Sequence, residues 1–198
     1  MLVHSYGLRH YLTEIGWFRS IDCGLPVDRE GNSLPWFTYS AIFFLESKIK
    51  PYFHVFEYGS GNSTFWWSKR VSSVITYEHD LDWYNNSKDK FPENVECVYC
   101  KLDHNKEYSK GILKYKDKFN IIVIDGRDRV NCAINSLGAL KEDGVIIWDN
   151  SDREQYKEGY AYLLQNNFKR LDFEGLGPIS NCKWCTSIFY RDNNCLDI

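Results

Sequence analysis

The segment Glu57-Tyr58-Gly59-Ser60-Gly61-Asn62-Ser63-Thr64 decides the fold of this chain. It follows a short run of β-branched and aromatic residues at 55–58 and precedes a stretch at 62–70 with helical spacing, so it predicts a strand, a glycine turn and a helix. Glycines 59 and 61 permit a positive φ and the close approach of backbone to a ligand. The free N–H groups at the start of the helix add donors. We therefore expect a ligand-binding loop here.

Outward from this loop, short apolar runs alternate with helical stretches. Strands are predicted at residues 55–58, 74–77, 95–101, 120–124, 144–148, 169–173 and 186–190. Helices are predicted between them at 62–70, 81–90, 129–140 and 153–166. This alternation predicts an α/β fold: a doubly wound, mostly parallel seven-stranded sheet with helices on both faces and an antiparallel last strand. In such sheets, ligands bind beyond the carboxyl ends of the strands.

Residues 1–50 form a different region, predicted as a helical N-terminal segment that acts as a lid or flank over residues 51–198. The length of 198 residues favours one structural domain overall. Within this segment, the aromatic residues at 36–39 follow Pro35. They are predicted to form either one wall of the acceptor site or the buried start of a helix.

Composition narrows the class of protein. A net charge of −3 gives the protein no overall electrostatic attraction to nucleic acid or to an acidic membrane surface, so neither is expected as a partner. The first ten residues lack the apolar core of a signal peptide, which favours a cytoplasmic protein. The seven cysteines, an odd number, argue against a complete disulfide framework. The Cys97/Cys100 and Cys182/Cys185 pairs are interpreted as small hydrophobic residues rather than a zinc site.

Two acidic residues suggest what the loop binds. A dinucleotide-binding loop requires a third glycine, but position 64 is threonine. Glu57 in front of the loop would also repel a pyrophosphate. A carboxylate would instead attract an ammonium group, unless Glu57 is an ordinary charge at a strand end. Glu78, one β-α-β unit later, is placed to accept hydrogen bonds from the two hydroxyls of a ribose.

The run from Val55 to Trp83, with Glu-Tyr-Gly-Ser-Gly-Asn-Ser-Thr and then Tyr-Glu-His-Asp, resembles the class I S-adenosylmethionine-dependent methyltransferases. The resemblance extends from about residue 50 to the end and implies a Rossmann-like fold. It also implies that the methionine part of the cofactor is surrounded by Glu57, Gly59, Ser60, Gly61 and Asn62, and that Ser63 and Asp125 are further cofactor-binding residues. Glu78 would then hold the ribose, and His79 and Asp103 would lie near the adenine.

A second cluster follows the fourth and fifth strands, where Asp125, Asp149 and Asn150 are expected to share the cleft near the transferable methyl group. Asp125 and Asp149 are the candidate catalytic residues, with Asp125 as general base or metal ligand. The trio resembles the metal site of catechol O-methyltransferase-like enzymes and would suit Mg²⁺ or another divalent cation. Asp128, however, stands where those enzymes carry a lysine. Asp149 and Asn150 are otherwise interpreted as caps of the following helix.

Arginines 127 and 129 flank this cluster and either neutralise Asp125 or bind an anionic substrate group. The sequence thus predicts an S-adenosylmethionine-dependent methyltransferase that acts on a hydroxyl of a small molecule or sugar. The alternatives are an NAD-type oxidoreductase, which Glu57 and the missing glycine oppose, and a catalytically silent nucleotide-binding partner subunit. The identity of the acceptor and the oligomeric state are open.

Overall fold

A computed structural model describes residues 2–198, with the side chains of Gly7 and residues 9–198, and its centre is one seven-stranded sheet. The strands are β1 (His54–Tyr58), β2 (Ser73–Glu78), β3 (Val95–Tyr99), β4 (Phe119–Ile124), β5 (Leu140–Asp149), β6 (Lys169–Gly175) and β7 (Trp184–Tyr190). Their order across the sheet is β3-β2-β1-β4-β5-β7-β6. Strands β1 to β5 run parallel, whereas β7 is antiparallel to both β5 and β6. The predicted sheet, including its antiparallel last strand, is confirmed.

Eight α-helices surround the sheet: α1 (Leu2–Glu14), α2 (Trp17–Cys23), α3 (Tyr39–Glu46), α4 (Asn62–Ser68), α5 (Leu81–Ser87), α6 (Glu107–Lys110), α7 (Arg129–Ser136) and α8 (Lys157–Gln165). Short 3₁₀ turns adjoin α5, α6 and α8. Two apolar cores, one on each face of the sheet, pack α3 and α4, and α6, α7 and α8, against β-branched strand residues such as Ile121 and Ile122. All six residues of β4 are buried, as expected for a central strand covered on both faces.

The N-terminal segment packs into the same core as the sheet. Ile42 and Leu45 of α3 join Val55 and Ile121 in one apolar cluster. Trp66 and Trp67 of α4 are fully buried in that cluster. The division at residue 50 therefore crosses a continuous core and stays a prediction, not an observed boundary.

The four helices predicted between the strands are all shorter in the structure, and the last two differ most. The helix predicted at 129–140 ends at Ser136, because the backbone at Phe119 pairs with Leu140 and draws that residue into β5. The helix predicted at 153–166 begins only at Lys157, after a 3₁₀ turn. None of the helices in residues 2–198 is long and apolar enough to cross a bilayer.

Candidate active site

A cleft of about 850 Å³ opens at the carboxyl ends of the parallel strands. It lies where chain order reverses, between β1 and β4, which is the usual ligand site of such sheets. Its volume lies in the upper part of the range for ligand pockets. The predicted site residues on its wall are Gly59, Ser60, Gly61, Asn62, Ser63, Glu78, His79, Asp125, Asp149 and Asn150.

The loop after β1 has the predicted glycine-dependent geometry at Gly59 but not at Gly61, whose φ of 172° any residue can adopt. Gly59 adopts a φ of +96°, and a Cβ there would stand 3.1 Å from the Cα of Gly126. The two turns after β1 and β4 therefore touch through their backbones, which only glycine allows. Thr64 fixes the other side of the loop, because its hydroxyl accepts a hydrogen bond from Gly61 N at 3.0 Å. The role of Gly126 was missed, although an Asp-Gly pair directly after a strand signals such a turn.

Glu57 does not line the cleft, which corrects its predicted role as a wall residue facing an ammonium group. Its side chain is fully buried beneath the loop, where Oε2 accepts a 2.5 Å hydrogen bond from the Thr64 hydroxyl. Burial raises the pKa of Glu57 to about 8, so the group is mostly protonated at neutral pH. Sequence spacing placed the residue at the strand end but could not show that it points under the loop.

The buried Glu57 predicts a pH-dependent stability. Because its pKa rises from the ordinary 4.5 to about 8, the folded protein keeps a proton that the unfolded chain releases between these values. Stability falls as pH rises through that window, by at most about 1.4 kcal/mol per pH unit for this one group. Glu57→Gln should remove this contribution. Denaturant unfolding of both proteins from pH 5 to 8 measures it. The variant should lose less stability than the parent toward pH 8, and parallel curves would contradict the assignment.

Glu78 anchors the loop as well as facing the cleft. Its Oε2 accepts hydrogen bonds from the backbone N–H and the hydroxyl of Ser60, at 3.0 and 2.8 Å. Its Oε1 accepts from the backbone N–H groups of His79 and Asp80, at 2.7 and 2.8 Å. These four donors match the four lone-pair sites of a carboxylate. A ribose diol would therefore have to share or replace a donor, and the Ser60 hydroxyl is the one that can rotate away.

The residues predicted near an adenine separate into two groups. His79 lines the cleft, whereas Asp103 does not: its Oδ1 accepts a hydrogen bond from Asn105 N and holds a turn outside the cleft. Trp83 is a wall residue whose role the sequence did not assign. Its indole Nε1 donates to Ser60 O at 3.0 Å, and the ring is half exposed beside the loop. Asp80, which accepts from Trp83 N and caps α5, explains why an aromatic in that first turn faces the cleft.

Asp125 is paired with an arginine that lies between the ends of β4 and β5. Arg129 Nη2 donates to Asp125 Oδ1 at 3.0 Å and to its carbonyl at 2.6 Å. Nη1 of the same guanidinium donates to the carbonyl of Asp149. Burial nevertheless raises the pKa of Asp125, with Arg129 as the strongest opposing influence. The sequence analysis offered two roles for the arginines, neutralising Asp125 or binding an anionic substrate group. Arg129 neutralises Asp125.

Asp149 is held by two donors from β7. Its Oδ1 accepts hydrogen bonds from Trp184 Nε1 at 2.9 Å and from the Thr186 hydroxyl at 2.6 Å. Its Oδ2 accepts no hydrogen bond from any residue between 9 and 198, and Asp149 lines the cleft. Burial, and then the charge of Asp125, raises the pKa of Asp149 to about 8. A carboxyl group fixed on one side and open on the other can accept a proton from a ligand.

Thr186 is a positioning residue for this carboxyl group, and its own hydroxyl accepts from Thr38 N at 3.0 Å. Removing the hydroxyl in Thr186→Val takes away a donor that lowers the pKa of Asp149. If Asp149 is the base, the pH–rate profile should shift to higher pH by a few tenths of a unit or more, while Thr186→Ser keeps the parental profile. A change in rate without a shift in the profile would reduce Thr186 to a packing role.

The set of Asp125, Asp149 and Asn150 fits a divalent cation poorly. One oxygen of each carboxylate is already used by Arg129, Trp184 or Thr186, and the Arg129 guanidinium holds a positive charge between the two strand ends. Asp149 also does not cap a helix, because α8 begins at Lys157. Within the part of the chain that the structure describes, no group of three or more His, Cys, Asp or Glu side chains forms a metal site.

The remaining walls come from the N-terminal segment and the loop before β7. Trp36 and Leu25 are about half exposed and line the cleft, and Asn62 Nδ2 donates to Pro26 O at 2.8 Å. Phe37, in contrast, is fully buried in the core. Both interpretations of the aromatic group at 36–39 therefore apply, each to a different residue.

Comparison with solved structures supports the fold, whereas sequence comparisons found no match. No protein-family model and no curated protein sequence matches the chain. A methyltransferase from Pyrococcus furiosus matches with a TM-score of 0.57 at 14% identity, over 95% of this chain and 98% of that one. A putative methyltransferase from Streptococcus mutans in complex with SAH (S-adenosylhomocysteine) matches with a TM-score of 0.54 at 15% identity, over 75% of this chain and 94% of that one.

Spermidine synthase from Thermotoga maritima also matches, with a TM-score of 0.56 at 17% identity, over 75% of this chain. This match spans 56% of the synthase. The chain therefore has the Rossmann-like fold found in these methyltransferases and in a spermidine synthase. At these identities the likeness shows the fold, and the reaction must be argued from the site.

Proposed function

We propose that this protein is an S-adenosylmethionine-dependent methyltransferase that methylates a hydroxyl group of a small molecule or sugar. The observation that carries the proposal is the placement of the glycine loop, Glu78 and the open oxygen of Asp149 around one cleft. The fold shared with methyltransferases, one of them in complex with SAH, supports it.

The cofactor would occupy the half of the cleft formed by β1 and β2. The Gly59 turn lets the backbone approach the ligand closely, and Glu78 faces the ribose once the Ser60 hydroxyl turns away. The rings of Trp83 and His79 would supply surfaces for the adenine of the cofactor. Asp125 lies on the same cleft wall, and its Oδ1 is paired with Arg129. Its Oδ2 accepts no hydrogen bond from residues 9–198 and would face the ammonium group in place of the buried Glu57.

The acceptor would lie toward β5 and β7. A bound sulfonium cofactor supplies an activated methyl group, so the chain must align the acceptor oxygen and remove its proton. In our proposal Asp149 Oδ2 would take that proton from the acceptor oxygen, and the cofactor would supply the methyl group that replaces it. Trp184 and Thr186 keep the carboxyl group oriented during this step.

A transfer assay tests the reaction. The full chain would be incubated with S-adenosylmethionine labelled in its methyl group and a panel of hydroxylated small molecules and sugars. We expect label in a product that resists mild base, as ethers do and methyl esters do not. Binding of SAH without transfer to any acceptor would favour the silent-subunit alternative, and stabilisation by NAD alone would favour an oxidoreductase.

Metal removal is a separate test. Because Arg129 already places a positive charge beside Asp125 and Asp149, we expect transfer to continue at an unchanged rate after EDTA treatment and desalting. Loss of activity that Mg²⁺ or Mn²⁺ restores would reinstate Asp125, Asp149 and Asn150 as metal ligands.

A further inference from the structure

Two arginines in the cleft have no partner within the chain that the structure describes. Of the nine arginines in the sequence, six donate a side-chain hydrogen bond to a carboxylate or carbonyl group of the protein. Arg9, Arg127 and Arg153 donate none to residues 9–198. Arg9 lies on α1, away from the cleft, whereas Arg127 and Arg153 both line it.

The positions of these two arginines place them on the acceptor side. Arg127 follows β4 two residues after Asp125, and Arg153 follows β5 four residues after Asp149. Arg153 is close enough to Asp125 to lower the pKa of that carboxyl group. Both arginines thus line the cleft near the strand ends that carry Asp125 and Asp149.

None of the carboxylates on the cleft wall pairs with Arg127 or Arg153 within residues 9–198. Asp125 is paired with Arg129, and Asp149 accepts hydrogen bonds from Trp184 and Thr186. Lys183, also on the wall, is paired with Glu174. Asp152 is the remaining carboxylate on the acceptor-side wall, and its Oδ1 accepts a hydrogen bond from Cys185 N. The guanidinium groups of Arg127 and Arg153 are therefore available to an anionic ligand.

The N-terminal segment adds apolar surface to the cleft. Trp36 and Leu25 are each about half exposed and line the same cleft as the two arginines. A ligand that contacts both surfaces needs an apolar body and an anionic end. Guanidinium groups bind carboxylate and phosphate oxygens in a forked geometry that an ammonium group cannot provide.

We propose that the acceptor is an organic anion whose carboxylate or phosphate group is bound by Arg127 and Arg153, with its apolar body against Trp36 and Leu25. This inference rests on the proposed function, because it assigns the substrate class of the same site. It assigns the two arginines as specificity-determining residues. It also narrows the class of acceptor from any hydroxyl compound to one that carries a negative charge.

Calorimetry with the SAH-loaded full chain tests this assignment. The probes are 4-hydroxybenzoate, 4-hydroxyphenyl phosphate and the neutral 4-hydroxybenzamide, which share a ring and a hydroxyl group. We expect at least one anion to bind at least tenfold more tightly than the amide, and the stronger of the two distinguishes carboxylate from phosphate. Arg127→Ala and Arg153→Ala should each reduce this preference several-fold, and Arg153→Lys should retain part of it.

Arg9→Ala is the matched control, because it removes the same charge outside the cleft and should leave the preference unchanged. Equal binding of anions and amide, binding of none of the three probes, or an equal loss in the Arg9 variant would overturn the inference while SAH still binds. Failure of SAH itself to bind would instead count against the proposed function.

Discussion

Asp149→Asn is expected to lower kcat for methyl transfer by about 10²–10⁴-fold, the usual contribution of a general base. The amide keeps the size of the side chain and can still accept from Trp184 and Thr186, but it cannot take a proton. Binding of SAH should change little, because Asp149 lies on the β5 side of the cleft. The measurement is single-turnover transfer with calorimetry of SAH on the same preparation.

The pH dependence gives this prediction a second readout. Because the pKa of Asp149 is raised to about 8, the ionised base becomes more abundant as pH increases, and the parental rate should rise from pH 6 to a plateau above about 8. The residual rate of Asp149→Asn should lack that rise. Glu158→Ala, an exposed carboxylate on α8, is the control and should keep both rate and profile. A fully active Asp149→Asn variant would contradict the assignment.

Glu78→Ala is expected to weaken SAH binding by roughly 10–100-fold, as the loss of a buried polar partner costs about 1–3 kcal/mol. The carboxylate also holds the loop through Ser60, so part of this loss would come from a loosened loop. All four of its partners are donors, so an amide NH₂ must face some of them, and Glu78→Gln should bind SAH no better than Glu78→Ala.

Ser60→Ala separates the two roles of Glu78. It removes only the hydroxyl donor, which leaves a carboxylate lone pair for a ribose, so SAH binding should be unchanged or tighter. Calorimetry measures all three variants, with Glu158→Ala as the control for loss of an acidic side chain. Parental affinity in Glu78→Ala would remove the ribose assignment.

The sheet could be predicted because its determinants are local. The apolar run at β4 and the glycine turn after β1 identify a buried parallel strand and a ligand loop from sequence alone. The ends of α7 and β5 could not be predicted, because they depend on pairing between Phe119 and Leu140, which are 21 positions apart. The positions of Gly59, Glu78, Asp125 and Asp149 on one cleft follow from their places at strand ends.

Side-chain direction accounts for most of what the sequence did not predict. Glu57 and Glu78 are both acidic residues at strand ends, yet one lies buried under the loop and the other faces the cleft. Trp184 and Thr186 come from a strand far along the chain, so no spacing near Asp149 points to them. Arg129 occupies the region that a metal ion was expected to share, and only its contacts with both strand ends reveal this.

The most direct test of the central claim is calorimetry of the full chain with SAH and, separately, with NAD. The account predicts one SAH site per chain with a Kd in the micromolar range, corresponding to about −8 kcal/mol, and no measurable binding of NAD. Binding of NAD together with no binding of SAH would contradict it.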